Sequence, residues 1–301
     1  MVTIVKYHKP VLLQESIDGL VQRPEGTYVD LTFGGGGHSR AILQRLQGGS
    51  LFAFDQDQDA ASNSQGLDLT FVPANFRHLK RYLKLYGVSE VDGILADLGV
   101  SSHQFDVPDR GFSTRFDADL DMRMDQAAKR TARQVISDYS ERELHELLGR
   151  YGEVRNARTL AQAIVAARTN EPITTVSELK QVLQRFAPKG REARYYAQVF
   201  QALRIEVNDE IKALEEMLEQ CVDVLAPGGR LVVLSYHSLE DRLVKNIINK
   251  GKLYGEVEKD FFGNPQLPLE AITRKPLTPS PEEVEENSRA RSAKLRIAKK
   301  R

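Results

Sequence analysis

The chain has 301 residues, with 42 Lys and Arg balanced by 42 Asp and Glu, so its formal net charge is zero. That length suits one large domain or two ordinary ones, and no apolar run approaches the roughly 20 residues that span a bilayer. The single cysteine, Cys221, excludes an internal disulfide. With no long apolar leader at the N-terminus, where Lys6, His8 and Lys9 break the apolar stretch, the expected location is cytoplasmic.

Charge is unevenly distributed. Residues 1–125 hold 12 basic and 17 acidic side chains, residues 126–204 hold 14 and 8, residues 205–273 hold 7 and 13, and residues 274–301 hold 9 and 4. Two acidic blocks alternate with two basic ones, a pattern that suggests a polyanionic partner met by the basic parts. Two solvated surfaces of opposite sign are the alternative.

The first hundred residues alternate strand and helix signals. Apolar runs at 27–31, 50–55, 69–73 and 91–97 predict buried strands, and Ala41, Ile42 and Leu46 mark one side of a helix over 38–46. Short strands separated by helices imply βαβ units with right-handed crossovers, a mostly parallel sheet, and ligands at the carboxyl ends of the strands. After about residue 108 the pattern becomes helical. Ser140 with Glu143 and Thr175 with Glu178 have capping-box spacing. A long helix is expected near 208–225, ended by Ala226-Pro227-Gly228-Gly229, and the run 230–236 predicts a further strand. Cys221 falls on the helical pattern Leu214, Leu218, Val222, Leu225 and reads as a buried, inert thiol.

Gly34 to Gly37 lie between the first strand and its helix, where bare backbone can approach a ligand and adopt positive φ. A dinucleotide fingerprint needs a third glycine where Ser39 and Arg40 stand, and a P-loop needs Gly-Lys-Ser/Thr, which is absent. Asp30, at the strand end just before the loop, looks like the acidic residue of methyltransferase motif I. Asp55 ends the second strand, where a carboxylate can accept from both ribose hydroxyls; capping a helix in the run 55–59 is the alternative. Phe76 follows the third strand and offers a face to adenine or to the core. Asp97 ends the fourth strand. G-x-S-x-G is absent, no Cys/His cluster suggests zinc, and among Asp117, Asp119, Asp121 and Asp125 the interleaved Met122, Arg123 and Met124 argue against a metal site.

These motifs together resemble the bacterial ribosomal RNA small subunit methyltransferase H family, nearly end to end. The resemblance runs through residues 8–13, DLTFGGGGHS at 30–39, ILADLGVSSHQFD at 94–106, residues 110–113, DLDMRMD at 119–125, FQALRIEVN at 200–208, LAPGGRLVVLSYHSLEDR at 225–242, RKPLTPS at 274–280 and RARSAKLRIA at 289–298. It implies S-adenosyl-L-methionine as cofactor, contacted by Gly36, Gly37, His38, Asp55, Phe76, Asp97 and Gln104. It also implies N4-methylation of one decoding-centre cytidine in 16S rRNA, on the assembled small ribosomal subunit. The sequence departs from the family's usual pattern at Asp119, at 194–198 and at Asn287-Ser288.

The expected fold is α/β: a Rossmann-like class I methyltransferase sheet with an inserted all-helical domain. Residues 1–110 and 206–301, the latter with a basic C-terminal tail, form the methyltransferase domain, and 111–205 form the helical substrate-recognition domain. Methylating an exocyclic amine requires acceptors that turn its lone pair toward the methyl group. Where many amino-methyltransferases carry Asn/Asp-Pro-Pro-Tyr, this chain has Asp97-Leu98-Gly99-Val100-Ser101-Ser102, which makes Asp97 the candidate catalytic residue. His237 and Ser238 lie near the end of the fifth strand as candidates to line the base pocket.

Overall fold

The computed structural model describes residues 10–301. From the N-terminus come α1 (Leu13–Leu20), β1 (Thr27–Asp30), α2 (Gly37–Arg45), β2 (Ser50–Phe54), α3 (Gln58–Ala61), β3 (Thr70–Val72), α4 (Leu79–Leu85) and β4 (Val91–Asp97). A helical stretch follows, with α5 (Ser102–Asp106), α6 (Ala132–Asp138), α7 (Glu141–Gly152), α8 (Ala157–Asn170), α9 (Val176–Gln184) and α10 (Glu192–Asn208). The chain ends with α11 (Glu210–Val224), β5 (Leu225–Ser235), α12 (Ser238–Lys250), β6 (Leu269–Ala271), α13 (Pro281–Glu286) and β7 (Lys294–Lys300). Two units result, residues 10–99 with 211–301 and Val100–Glu210. The junctions expected at 110/111 and 205/206 fall inside the second unit. Among the described residues no helix is long and apolar enough to cross a membrane.

In the first unit the seven strands form one sheet, in the order β3-β2-β1-β4-β5-β7-β6. Strands β1 to β5 run parallel, and β7 runs antiparallel between β5 and β6. This is the mostly parallel sheet that the alternating pattern implied, in the Rossmann-like arrangement that the family resemblance implied. From β1 the chain winds outward through β2 and β3, and from β4 it winds the other way. Strands β1 and β4 therefore flank the topological switch point, where such sheets hold ligands at their carboxyl ends. In register, Asp30 lies opposite Leu95 and Asp97 opposite Leu234, so adjacent strands each end in an acid.

Three expectations need correction. The fifth strand begins at Leu225, not at 230, and its pairing with β4 shifts register between Val91 and Gly93. The helix expected over 208–225 is Glu210–Val224, because Asp209 takes φ 51° and breaks it from α10. The basic C-terminal tail is in part a strand: Leu295, Ile297 and Ala298 are buried in β7. Lys294 and Arg296 pair with Asp241 at 3.0 and 2.7 Å, and Lys300 Nζ donates to the Val222 carbonyl at 2.6 Å. Pairing with a strand some sixty residues upstream leaves no local signal in a segment this rich in cations.

The second unit packs its own core, including Leu120, Leu144, Leu148, Leu160, Ile164, Leu179, Leu183, Val199 and Leu203. The capping boxes of Ser140 with Glu143 and Thr175 with Glu178 both form. The acids at 117–125 are engaged locally. Arg123 grips Asp121 with two hydrogen bonds, of 2.9 and 2.7 Å, Asp117 accepts from Ser177 N–H, Asp125 accepts from Ala127 N–H, and Asp119 makes a backbone bridge with Thr175.

Tyr28 locks β1 to the turn after α1. Its hydroxyl accepts from Gln22 N–H (3.2 Å) and Arg23 N–H (3.0 Å), and donates to the Arg23 carbonyl (2.9 Å), while its ring is fully buried. Tyr28→Phe leaves these backbone groups without their partner and should cost about 1–3 kcal/mol, measured as a lower urea midpoint at unchanged slope.

Candidate active site

At the end of β1 the Asp30 carboxylate is fully buried. It accepts from Ser39 Oγ–H in the first turn of α2 (2.6 Å) and from Thr32 N–H (3.1 Å). Burial pushes its pKa up, opposed first by His38. Between strand and helix the loop turns on Gly34 (φ 50°) and Gly36 (φ 74°). A Cβ on Gly36 would meet the Phe33 ring and Arg40 Nη1 at 2.9 Å, and one on Gly37 would meet Pro10 at 2.3 Å. Only glycine fits either position, as bare backbone in this loop requires.

Asp55 follows β2 directly. Its Oδ2 accepts from Gly34 N–H at 2.7 Å and its Oδ1 from Asp57 N–H at 2.8 Å. The carboxylate is thereby tied to the glycine loop, while Asp57, not Asp55, caps α3 by accepting from Asp59 N–H. Each oxygen takes one backbone donor, and a carboxylate offers about four acceptor sites, so two remain for a vicinal diol. Burial raises the Asp55 pKa to about 6, against the two backbone hydrogen bonds that lower it. Phe76 opens the 3-10 turn Phe76–His78 beyond β3, with its ring partly exposed.

Asp97 closes β4. Its N–H donates to Thr32 Oγ1 at 2.7 Å, and its Oδ1 accepts from the Tyr236 hydroxyl at 2.7 Å. His38 Nδ1 stands 3.8 Å from its Oδ2. Burial raises the Asp97 pKa to about 7; the Tyr236 hydrogen bond lowers it and Glu240 raises it. His38 is itself buried, which lowers its pKa against the Asp30 charge that raises it, and its Nε2 has no hydrogen-bond partner among the described residues. A bare glycine loop, a carboxylate with open acceptor sites, a half-open aromatic ring and an orphaned imidazole nitrogen fit an adenosyl cofactor at the strand ends.

Of the expected site residues, the first unit thus brings together Gly36, Gly37, His38, Asp55, Phe76 and Asp97. Gln104 belongs to the second unit, where it is buried and closes a capping box on α5: its Oε1 accepts from Ser101 N–H (3.1 Å) and its own N–H donates to Ser101 Oγ (3.2 Å). His237 caps α12. Its Nδ1 faces Glu240 N–H at 3.4 Å, so the helix start occupies one ring nitrogen, while its Nε2, 3.1 Å from Glu240 Oε1, is buried with no hydrogen-bond partner among the described residues. Sequence reasoning assigned no role to Thr32, Ser39 or Tyr236. The available signal for Tyr236 was its place at the end of the fifth apolar run, on the same sheet edge as Asp97.

The raised pKa of Asp97 has a consequence for stability. A carboxyl that ionises near 7 in the folded state and near 3.8 when unfolded holds its proton more tightly when folded. Stability then falls as pH rises through that window, because the folded state binds more protons. Asp97→Asn keeps an acceptor for Tyr236 and removes the buried charge. The variant should melt above the wild type at pH 8, with the gain shrinking toward pH 4. Calorimetric melts giving the same difference at pH 5 and pH 8 would contradict the buried-charge assignment.

Residues 5–301 match the MraW methylase family. The chain is 60% identical over 297 residues to the ribosomal RNA small subunit methyltransferase H of Cytophaga hutchinsonii, covering 98% of this chain and 99% of that protein. It is 54% identical over 302 residues to the protein of the same name from Flavobacterium johnsoniae, with 100% of each chain covered. With a strand order and a sheet-edge site of the kind such enzymes use, the chain belongs to the MraW methylase family of S-adenosylmethionine-dependent methyltransferases.

Proposed function

We propose that this protein methylates the N4 amine of a single cytidine in the decoding centre of 16S rRNA, acting in the cytoplasm on an assembled small ribosomal subunit. The observation that carries the reading is the placement of Asp30, Asp55 and Asp97 at the ends of β1, β2 and β4 around the switch point. The names of the relatives supply the substrate class. Gly36, Gly37, His38, Asp55, Phe76, Asp97 and Gln104 are the residues assigned to S-adenosylmethionine. When bound, that cofactor supplies an electrophilic methyl group on a sulfonium. Asp55 holds the ribose hydroxyls, Phe76 packs on adenine, and the glycine loop lets the backbone approach.

Asp97 receives the amine. The cytosine N4 lone pair is delocalised into its ring, so an acceptor must engage an N–H and turn the nitrogen toward the methyl carbon. The Asp97 carboxylate does this only when ionised, and its raised pKa places that requirement near neutrality. The target base has to leave its stack to reach the site, at a cost of a few kcal/mol that is least for a base already unpaired. The enzyme therefore takes its substrate as a folded particle that presents the base.

The helical unit is assigned to substrate recognition. Arg185, Lys189, Arg191 and Arg194 are exposed around the turn between α9 and α10. Arg191→Ala with Arg194→Ala should weaken RNA binding and flatten its salt dependence, since each phosphate contact contributes about −0.9 to the log–log slope on duplex and about −0.7 on single strands. Cofactor affinity should not change. A wild-type salt slope in the double variant would remove this face from RNA contact.

Mass spectrometry of 16S rRNA decides the main reading. Small subunits from cells lacking the gene should gain one methyl group on one decoding-centre cytidine when incubated with protein and cofactor. A short cytidine-containing oligonucleotide should be a much poorer substrate. Equal methylation of both would favour a local sequence reader, and no methylation of either would refute an RNA substrate.

A further inference from the structure

We propose that Tyr236 is the positioning residue for Asp97: its phenol holds one carboxylate oxygen so that the other is presented as the acceptor for the target amine. This inference rests on the reading of Asp97 as the group that receives the amine. Tyr236 directly follows β5, the neighbour of β4, and its hydroxyl donates to Asp97 Oδ1 at 2.7 Å across 139 residues of sequence. The tyrosine is itself anchored, because its backbone N–H donates to Glu240 Oε2 at 2.8 Å where α12 begins. From the opposite side the Asp97 backbone is fixed by Thr32 Oγ1. Asp97 is thus held at its backbone and at one carboxylate oxygen.

Among the described residues four titratable groups face Asp97: His38 from α2, Asp30 from β1, Glu240 from α12, and Tyr236 itself. His38 stands too far away, at 3.8 Å, for a hydrogen bond. Asp30 and Glu240 are acids, and Glu240 opposes ionisation of Asp97. Among the described residues Tyr236 is the one side chain that donates a hydrogen bond to this carboxylate. Burial and the adjacent Asp97 both raise the phenol's own pKa well above its ordinary value, so it remains a donor throughout the working pH range.

Tyr236 therefore does two things for the transfer. It occupies Oδ1, which leaves Oδ2 to accept from the amine, and it favours the ionised carboxyl that can accept at all. As the nitrogen–carbon bond forms, the carbon–sulfur bond breaks onto sulfur, and one N–H proton leaves the nitrogen for Asp97. Without the phenol, burial and Glu240 act unopposed. Asp97 then keeps its proton to higher pH and, while protonated, presents a donor where an acceptor is needed.

Tyr236→Phe tests this. Cofactor affinity by calorimetry should stay within about twofold, while the single-turnover rate on small subunits at saturating cofactor falls at least about tenfold at pH 7. The acidic limb of the pH–rate profile should move to higher pH, so that the variant recovers toward the wild type in alkali. In an Asp97→Asn background the same substitution should change the rate by less than about twofold, because a residue acting only through Asp97 has nothing left to position. A pH-independent loss, or losses that multiply in the double variant, would overturn the proposal.

A carbon-13 titration of Asp97 in RNA-free protein separates this from the substrate reading. The midpoint should rise in Tyr236→Phe and should fall when Tyr236 alone is replaced by the more acidic 3-fluorotyrosine, which keeps the hydroxyl and the fold. An unmoved midpoint overturns the role of Tyr236. Midpoints that move as expected, in a wild-type protein that methylates no ribosomal RNA, refute the substrate reading instead.

Discussion

A carboxylate can remain in a protein interior only if its oxygens are met by donors, and the burial of Asp30 under that condition organises this site. Ser39 Oγ–H and Thr32 N–H satisfy it. Ser39 lies in the first turn of α2, so the bond fixes the start of that helix relative to β1 and with it the path of the glycine loop. Thr32 in turn accepts from the Asp97 N–H, and Asp97 accepts from Tyr236. One hydrogen-bonded chain, Ser39–Asp30–Thr32–Asp97–Tyr236, thus links α2, β1, β4 and the end of β5. Losing a middle member would leave buried polar groups on both sides of it, which is far more costly than losing one surface pair.

The acids at these strand ends cost stability. Asp30, Asp55 and Asp97 are all held above the usual carboxylate range by burial. A fold selected for stability alone would place neutral groups at these strand ends. Three acids on neighbouring strand ends make sense where negative charge is wanted in advance, at the edge where such sheets hold their ligands. The donors already present are nearly all backbone N–H groups and hydroxyls, not cations. They orient the carboxylates while leaving their charge available, which an arginine at the same distance would neutralise.

Much of this was legible in the sequence, because it is local. The runs at 27–31, 50–55, 69–73 and 91–97 became β1 to β4, the glycine loop sits where an apolar run meets a helical period, and the capping boxes at Ser140 and Thr175 formed as spaced. What escaped is non-local. The segment from Lys294 reads as a solvated basic tail because its cations outnumber its apolar residues; its identity as β7 depends on β5 for partners and on Asp241 for charge. Tyr236 reads as one more apolar residue at the end of a strand, and nothing in its neighbourhood announces that its hydroxyl meets Asp97 139 positions away. His237 is legible only in part: a histidine at a strand end suggests a pocket or a satisfied ring, and in the fold Nδ1 caps α12 while the buried Nε2 has no hydrogen-bond partner among the described residues.

Charge counted along the sequence must be corrected for what the fold consumes. The C-terminal 28 residues carry nine cations against four acids, but Lys294 and Arg296 are paired with Asp241 and Lys300 is turned onto a helix carbonyl. Arg296 is buried besides. Those charges stabilise a strand and offer little field to a distant polyanion. The exposed cations around the turn between α9 and α10 are different in kind: Arg185, Lys189, Arg191 and Arg194 fall within ten residues and project into solvent, and Glu192, the acid among them, accepts instead from Gly190 N–H. A charge block becomes a binding surface only where the fold has not already paired its members. By that criterion the cations around the turn between α9 and α10, and not those paired in the C-terminal strand, are the ones that face solvent.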